Sequence, residues 1–367
     1  MAALAAAIDA EIRDWEDPAV ERAIFGTRAP DAIAVAFDTF CAEHLGSRME
    51  APLFYSSSMG AVAGVRLADG RCVVIKAHQP DQSAAFLSAV QRVQRHLAAR
   101  AFPFPCPRPL LGPVPVGGGH ATVEEYDAGG EYRDAHEPPV RRALARTLAR
   151  LAEDARPFAG DPALLAAGRA CRPPADRLWG KPHSVIFDFE ATAAGAEWID
   201  DIARRARQLL EELERDGGAG DVVVGHNDWS MRQMRLAGDT VRVVYDWDSL
   251  IAEREPVVVG RAARGFTMTY GTPLDGTVPV APALVELLSF AREYEAGRGR
   301  PFTPGEWRTM GAAAAHGLAY TSRCGHARAP LDGPNAVFPA GSYREALARY
   351  GEDLLAPGDR AVWAFRK

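Results

Sequence analysis

No two cysteines in this sequence stand in C-x-x-C spacing. The five present (Cys41, Cys72, Cys106, Cys171 and Cys324) are odd in number and scattered, which argues against a disulfide framework or a zinc site and suits a reducing compartment. Long apolar runs are missing as well: none approaches the roughly 18 residues needed to span a membrane. The opening stretch MAALAAAIDAEIRDWEDP has no basic n-region and is interrupted by Asp9 and Glu11. It is predicted to be an amphipathic helix, not a signal peptide, and a cytoplasmic protein is expected. A basic excess is also lacking. With a net charge of −6 and a pI near 5.9, nucleic acid is not the expected partner, since phosphate backbones select basic surfaces. There is no internal repeat and no low-complexity segment.

What is present is the composition of a globular protein: 367 residues, 47% hydrophobic and 25% charged, enough for two lobes with separate cores. Strand signals come early. AVAGVRL and RCVVIKA read as a hairpin through Asp69-Gly70. DQSAAFLSAVQRVQRHLAAR then puts Phe86, Val90, Val93 and Leu97 on one helical face, with Asp81 or Ser83 as a cap. After the proline-rich FPFPCPRPLLGPVPVGGG comes a further strand, HATVEEY, and DAGGEY reads as a linker.

Beyond about residue 131 the pattern turns helical. EWIDDIARRARQLLEELERDGG stops at Gly217-Gly218, and TPGEW (Thr303 to Trp307) and SYRE (Ser342 to Glu345) are capping boxes that each open a helix. The only strands expected in this half are DVVVGH and VRVVYDW, paired as one hairpin. The predicted class is therefore α+β. Residues 1–123 form a β-rich N-terminal lobe with a helical extension, 124–130 a hinge, and 131–367 a larger helical lobe.

The chemistry gathers where the strands end. VVVGHNDWSMRQ is a β-branched run that stops in polar residues, and Asp246 follows Asp228 by 18 positions in VVYDWDS. Asp228, Gln233, Asp246 and Asp248 thus arrive at neighbouring strand ends, offering the hard oxygen ligands that Mg²⁺ prefers. A carboxylate that does not ligate the metal can accept a proton from an attacking hydroxyl. Upstream, Lys76 closes a strand preceded by SSSMGAVAG, whose small residues (Ser57, Ser58 and Gly60, with Met59) let backbone approach phosphates. These are the parts of a phosphoryl-transfer site, in chain order.

HNDWSMRQ matches the H-x-D-x-x-x-x-N loop of kinase-like enzymes, with Gln233 in the place of Asn, and YDWDS resembles the I-D-W segment that stands for D-F-G. On these motifs the chain resembles the aminoglycoside phosphotransferase and choline kinase superfamily over about residues 50–255. The resemblance implies a two-lobed protein-kinase-like fold. It implies Asp228 as catalytic base, Gln233 and Asp246 as Mg²⁺ ligands, and Lys76 on the α- and β-phosphates of ATP or GTP. His226 would brace the loop, and Glu124, Glu125 and Tyr126 would hold the purine. The acceptor implied is a hydroxylated small molecule: an aminoglycoside-like antibiotic, a sugar or an amino alcohol.

Two departures stand out. Gln233 replaces Asn, as in maltokinase-like and glucosamine-kinase-like members. The glutamate that should pair with Lys76 is missing, because no Glu occurs between Ala51 and Val123; Gln91 sits about where it belongs. These departures support an alternative, a nucleotide-binding pseudokinase with a regulatory role. Plainer readings stand beside the sharper ones. Asp228 and Asp246 could cap turns, and Ser230 could be a loop serine or touch the γ-phosphate or the acceptor. Trp229, Trp247, Tyr270 and Trp307 could line an acceptor pocket or belong to the core. Glu253, Glu255, Glu286, Glu293 and Glu295 could draw a cationic acceptor or form a solvated helix face. Neither the acceptor nor the oligomeric state is legible.

Overall fold

Alternation builds the first sheet. In the computed structural model, which describes residues 1–13, 18–182, 186–269, 280–331 and 333–356, the chain divides into two units, Met1–Ala128 and Gly129–Lys367. The first unit opens with α1 (Ala2–Ile12), α2 (Ala19–Phe25) and α3 (Pro30–Leu45). Then come β1 (Met49–Ser57), β2 (Gly60–Leu67), β3 (Cys72–His78), α4 (Ala84–Ala98), β4 (Pro109–Val116) and β5 (Gly119–Glu125). The five strands form one antiparallel sheet in the order β1-β2-β3-β5-β4.

Every second residue of β2 and β3 (Ala61, Ala63, Val65 and Leu67; Val73, Ile75 and Ala77) enters a core shared with Leu4, Ile8, Ile24, Ile33 and Phe37 of the three helices. This is the period-2 pattern of a sheet covered on that face, and each such Leu or Ile contributes roughly 1.5–3 kcal/mol by leaving water. The turn between β2 and β3 places Gly70 at φ 88°, a conformation that suits glycine. In α4, Ser83 caps the first turn by accepting from the Phe86 N–H at 3.2 Å, and Phe86, Val90, Val93 and Leu97 are buried.

The sequence reading passed over β4 because of its prolines. Pro109, Pro113 and Pro115 lie on an edge strand, where a missing N–H breaks no ladder bond.

The second unit is helical. Its helices are α5 (Pro138–Asp154), α6 (Pro162–Ala170), α7 (Glu197–Arg215), α8 (Glu255–Ala263), α9 (Leu284–Arg298), α10 (Pro304–Arg328) and α11 (Tyr343–Leu355). The expected single hairpin is corrected here. β6 (Val222–His226) pairs with β9 (Leu250–Arg254), and β7 (Met234–Ala237) pairs with β8 (Thr240–Val244), as two separate antiparallel sheets. The four-residue β7 is too short to show alternation, and β9 carries Glu253 and Arg254, which mask it as a strand.

Helix ends follow their sequence signals closely. Thr303 and Glu306 exchange both capping-box bonds, at 3.2 and 2.7 Å. Ser342 accepts from the Glu345 N–H at 3.2 Å, but Glu345 turns to the Gly341 N–H instead of completing the box. Among the described residues no helix is long and apolar enough to cross a membrane.

Gly225 explains its own place in VVVGH. A Cβ there would lie 2.4 and 2.7 Å from the two methyl carbons of Val258 on α8. Gly225→Val is expected to cost about 1–3 kcal/mol through overpacking, read as a lower urea midpoint; an unchanged midpoint would contradict the close approach of β6 and α8.

Candidate active site

Beyond β6 the chain is fixed by its own polar groups. His226 is buried, and its Nε2 lies 3.0 Å from the Tyr245 carbonyl. A carbonyl only accepts, so Nε2 carries the proton and donates. The rings of Trp229 and Trp247 meet it edge-on at 5.8 and 6.4 Å. Both indoles are core residues whose N–H groups donate to the carbonyls of Leu144 and Val244, at 3.2 and 2.8 Å. They do not line a pocket, because their polar atoms are already satisfied inside the fold. Trp307 is half-buried against Phe302, and Tyr270 lies outside the described residues.

Asp228 stands two residues further on. Its Oδ2 accepts from Arg232 Nη2 at 2.5 Å and from Gln233 Nε2 at 2.6 Å. Burial would raise this carboxyl, but the Arg232 charge and the two hydrogen bonds outweigh it and hold it below the usual carboxylate range. Asp228 is therefore ionised at neutral pH, as a general base must be.

Gln233 links the loop to the next segment. Its side chain reaches Asp228, while its carbonyl accepts from the Tyr245 N–H at 2.8 Å. Asp246 follows in the left-handed region (φ 61°, ψ 47°), the one non-glycine residue with positive φ among those described. For an L-residue this costs about 1–2 kcal/mol, and such strain gathers at functional sites. Ser249 Oγ donates to the Asp246 carboxylate at 2.8 Å and its N–H to the Asp246 carbonyl at 3.0 Å, steadying the turn. Asp248 lies within that turn, half-buried. Ser230 is 2% exposed, and its Oγ has no hydrogen-bond partner.

The donor set suits a magnesium ion. Asp246 offers a carboxylate, and Gln233, which spends its NH₂ on Asp228, offers its amide oxygen. Mg²⁺ takes one or two protein ligands and fills the rest of its shell with phosphate and water. Accordingly, no cluster of three His, Cys, Asp or Glu is needed, and none occurs among the described residues.

The remaining candidates lie in the first unit. Lys76 sits on β3 opposite Val62 and Thr122. Ser57 ends β1 and is buried, Ser58 and Met59 are exposed, and Gly60 opens β2. A Cβ on Gly60 would fall 2.8 Å from the Ala77 carbonyl and 3.6 Å from Lys76 Cε, so only glycine brings the turn this close to the lysine. Gln91 spans the Leu111 carbonyl at 2.7 Å and Arg95 at 2.9 Å. Glu124 accepts from Gln94 at 2.9 Å, and the Glu125 and Tyr126 N–H groups donate to the Arg108 and Cys72 carbonyls at 2.9 and 3.2 Å. Glu125 and Tyr126 also line an open cleft of about 640 Å³ with His44, Arg71 and Leu110, apart from Lys76 and Gly60.

With this geometry in view, the chain can be set beside known proteins. Residues 64–250, just over half of it, match the phosphotransferase enzyme family (APH). The chain belongs to that family. No curated protein matches it. Among solved structures, the amicoumacin kinase hAmiN in complex with AMP-PNP, Ca²⁺ and Ami aligns at TM-score 0.53 and 11% identity, over 89% of this chain and 95% of that one. A Plasmodium vivax ethanolamine kinase aligns at 0.49 and 10%, over 91% and 90%. An Alicyclobacillus acidocaldarius aminoglycoside phosphotransferase aligns at 0.48 and 17%, over 86% and 93%. The fold shared with the amicoumacin kinase is α+β and kinase-like, with a sheet-rich N-terminal unit and a helical C-terminal one.

Sequence reasoning missed Arg232, whose signal is its position four residues beyond Asp228. It also misread the acids. Glu253 is buried and bound by Arg172 at 2.6 and 2.9 Å, and Glu255 is buried against Arg298 and Arg300 at 3.1 and 3.2 Å. Glu286 meets His136 at 2.9 Å, Glu293 meets Arg142 and Arg146 at 3.1 and 3.2 Å, and Glu295 takes the Phe302 N–H at 2.5 Å. Glu253 and Glu255 are thus paired inside the fold, while Glu286, Glu293 and Glu295 stay partly exposed along α9.

Arg232→Gln removes the charge that opposes burial, so the Asp228 carboxyl rises. The acid limb of the pH–rate profile is expected to move to higher pH, with the alkaline limb in place. An unmoved acid limb would separate Arg232 from the base.

Proposed function

We propose that this phosphotransferase moves the γ-phosphate of ATP or GTP to a hydroxyl of a small molecule, within the range of aminoglycoside-like antibiotics, sugars and amino alcohols. One observation carries the reading: the ionised Asp228 is bonded to Gln233, and Gln233 is bonded through its backbone to the segment that presents Asp246. A base and a metal pair are thereby set on one rigid frame, which is what transfer by positioning and charge neutralisation requires.

In this reading Asp228 orients the acceptor hydroxyl and takes its proton as the oxygen attacks the γ-phosphorus. The new O–P bond forms, the bond from the γ-phosphorus to the bridging oxygen breaks, and a nucleoside diphosphate leaves. Mg²⁺, when bound by Asp246 and Gln233, supplies charge neutralisation on the phosphates. Lys76 holds the α- and β-phosphates, with Ser57, Ser58, Met59 and Gly60 approaching them from the β1–β2 turn. Glu124, Glu125 and Tyr126 meet the purine, His226 braces the loop, and Asp248 stands by the metal. Residues 1–123, 124–130 and 131–367 then act as nucleotide lobe, hinge and acceptor lobe, in a cytoplasmic enzyme that needs neither nucleic acid nor membrane.

An aspartate held ionised by two donors favours the enzyme over the nucleotide-binding pseudokinase. Asp228→Ala is expected to lower turnover by about 10²-fold or more with nucleotide affinity nearly intact; equal turnover would remove the base. Asp246→Ala is expected to abolish the Mg²⁺-dependent part of nucleotide binding in a calorimetric titration, and its full retention would remove the metal ligand.

A further inference from the structure

We propose that the acceptor carries an anionic group, a carboxylate or a phosphate, beside the hydroxyl that is phosphorylated, and that Arg264, Tyr343 and Ser230 receive it. The inference rests on the phosphotransferase reading and narrows its acceptor.

Around Asp228, within the second unit, several buried donors have nothing to bond. Tyr343, the first residue of α11, is 7% exposed, and its hydroxyl has no partner. The Ser230 hydroxyl is in the same position at 2% exposure. Arg264 gives Nη1 to Thr321 Oγ1 at 2.9 Å, yet its Nε is buried and unmet. Nε2 of His316 is also buried and unmet. A buried donor without a partner is costly, and three in one neighbourhood, with an unmet imidazole nitrogen beside them, point to a missing ligand.

They do share a neighbourhood. The Met231 N–H, next to Ser230, donates to the Phe266 carbonyl at 2.9 Å, two residues on from Arg264, and Ser322, beside the Thr321 that Arg264 bonds, donates its Oγ to the Tyr343 carbonyl at 2.9 Å. Arg264 packs 3.0–3.2 Å from where a Cβ would sit on Gly317, next to His316. Arg261 donates to Asn227 Oδ1 at 3.0 Å, adjoining Asp228. Burial, with the charges of Arg261, Arg207 and Arg264, pushes the His316 imidazole down to about 4, so it is neutral at pH 7.

The sign of the charge follows from what is already paired. Arg232 is spent on Asp228. Arg261 and Arg264 bond only neutral oxygens, of Asn227 and Thr321, and neither has a carboxylate at ion-pair distance among the described residues. Nearby Asp200 is held by Trp179 at 2.9 Å and Arg323 at 3.5 Å. The glutamates that could have favoured an amine are bound elsewhere. Two unpaired guanidinium groups and two orphan hydroxyls suit carboxylate or phosphate oxygens and disfavour an ammonium group.

The test is nucleoside diphosphate release, with Mg²⁺ and nucleotide, from a series on one hexopyranose scaffold with different charges: glucose, glucosamine, glucuronate and glucose 6-phosphate. At least one anionic member is expected to exceed glucose and glucosamine by about tenfold or more in kcat/KM, the two anions separating carboxylate from phosphate. Arg264→Gln should collapse that ratio through the acceptor KM, and Tyr343→Phe, which keeps the ring in the core, should lower it. A flat series, a preference for glucosamine, or an effect of Arg264→Gln on nucleotide KM alone would overturn the proposal. If no member is turned over, thermal protection by the same compounds decides: protection confined to the anions and lost in Arg264→Gln upholds it, and any other pattern overturns it. Absence of metal-dependent nucleotide binding would instead be the failure of the phosphotransferase reading itself.

Discussion

The second unit is arranged around one half-buried carboxylate that stays charged. Enclosure alone would raise the Asp228 carboxyl; Arg232 and Gln233, at 2.5 and 2.6 Å, outweigh it and hold it low. A buried charge persists only when it is paired and hydrogen-bonded, so the surrounding loop has little freedom. His226 and the Gln233 carbonyl tie it to Tyr245, and Trp229 and Trp247 seat it in the core. The strained Asp246 is tolerated because these contacts over-determine its position.

The same economy of charge runs through the helices. Only three of the 42 basic residues are lysines, at 76, 181 and 367. Arginines bind nearly every buried acid, often through paired contacts, as with Arg172 on Glu253. Guanidinium groups suit this structural work, being planar and always protonated. Against that background Lys76 on β3, beside a turn whose glycine cannot carry a Cβ, stands out by residue type. Arg261 and Arg264 depart from the pattern in another way: among the described residues neither has an acid at ion-pair distance.

Much of this was legible in the sequence. The hairpin through Asp69-Gly70, the Ser83 cap, the Thr303 capping box and the stop at Gly217 are local, and local signals survive folding. The polar cluster after VVVGH marked the loop because chemistry-bearing residues followed a strand at kinase-like spacing. What was missed depends on distance. β9 pairs with β6 across 24 to 32 positions, from His226 with Leu250 to Val222 with Arg254, and no turn residue announces that contact. β4 was hidden by prolines that only an edge position permits. Arg232 looked like one arginine among many until its partner was seen, and the glutamates looked solvated until theirs were.

The most direct test of the account is metal-dependent nucleotide turnover in the purified protein: nucleoside diphosphate release from ATP and GTP, with and without Mg²⁺, across hydroxylated acceptors, with thermal shift by each nucleotide read in parallel. The account predicts a Mg²⁺-dependent shift and a release that rises with one class of acceptor. No shift with either nucleotide, or a shift with no acceptor-dependent release from any class, would contradict the claim that Asp228, Gln233 and Asp246 form a working phosphoryl-transfer site.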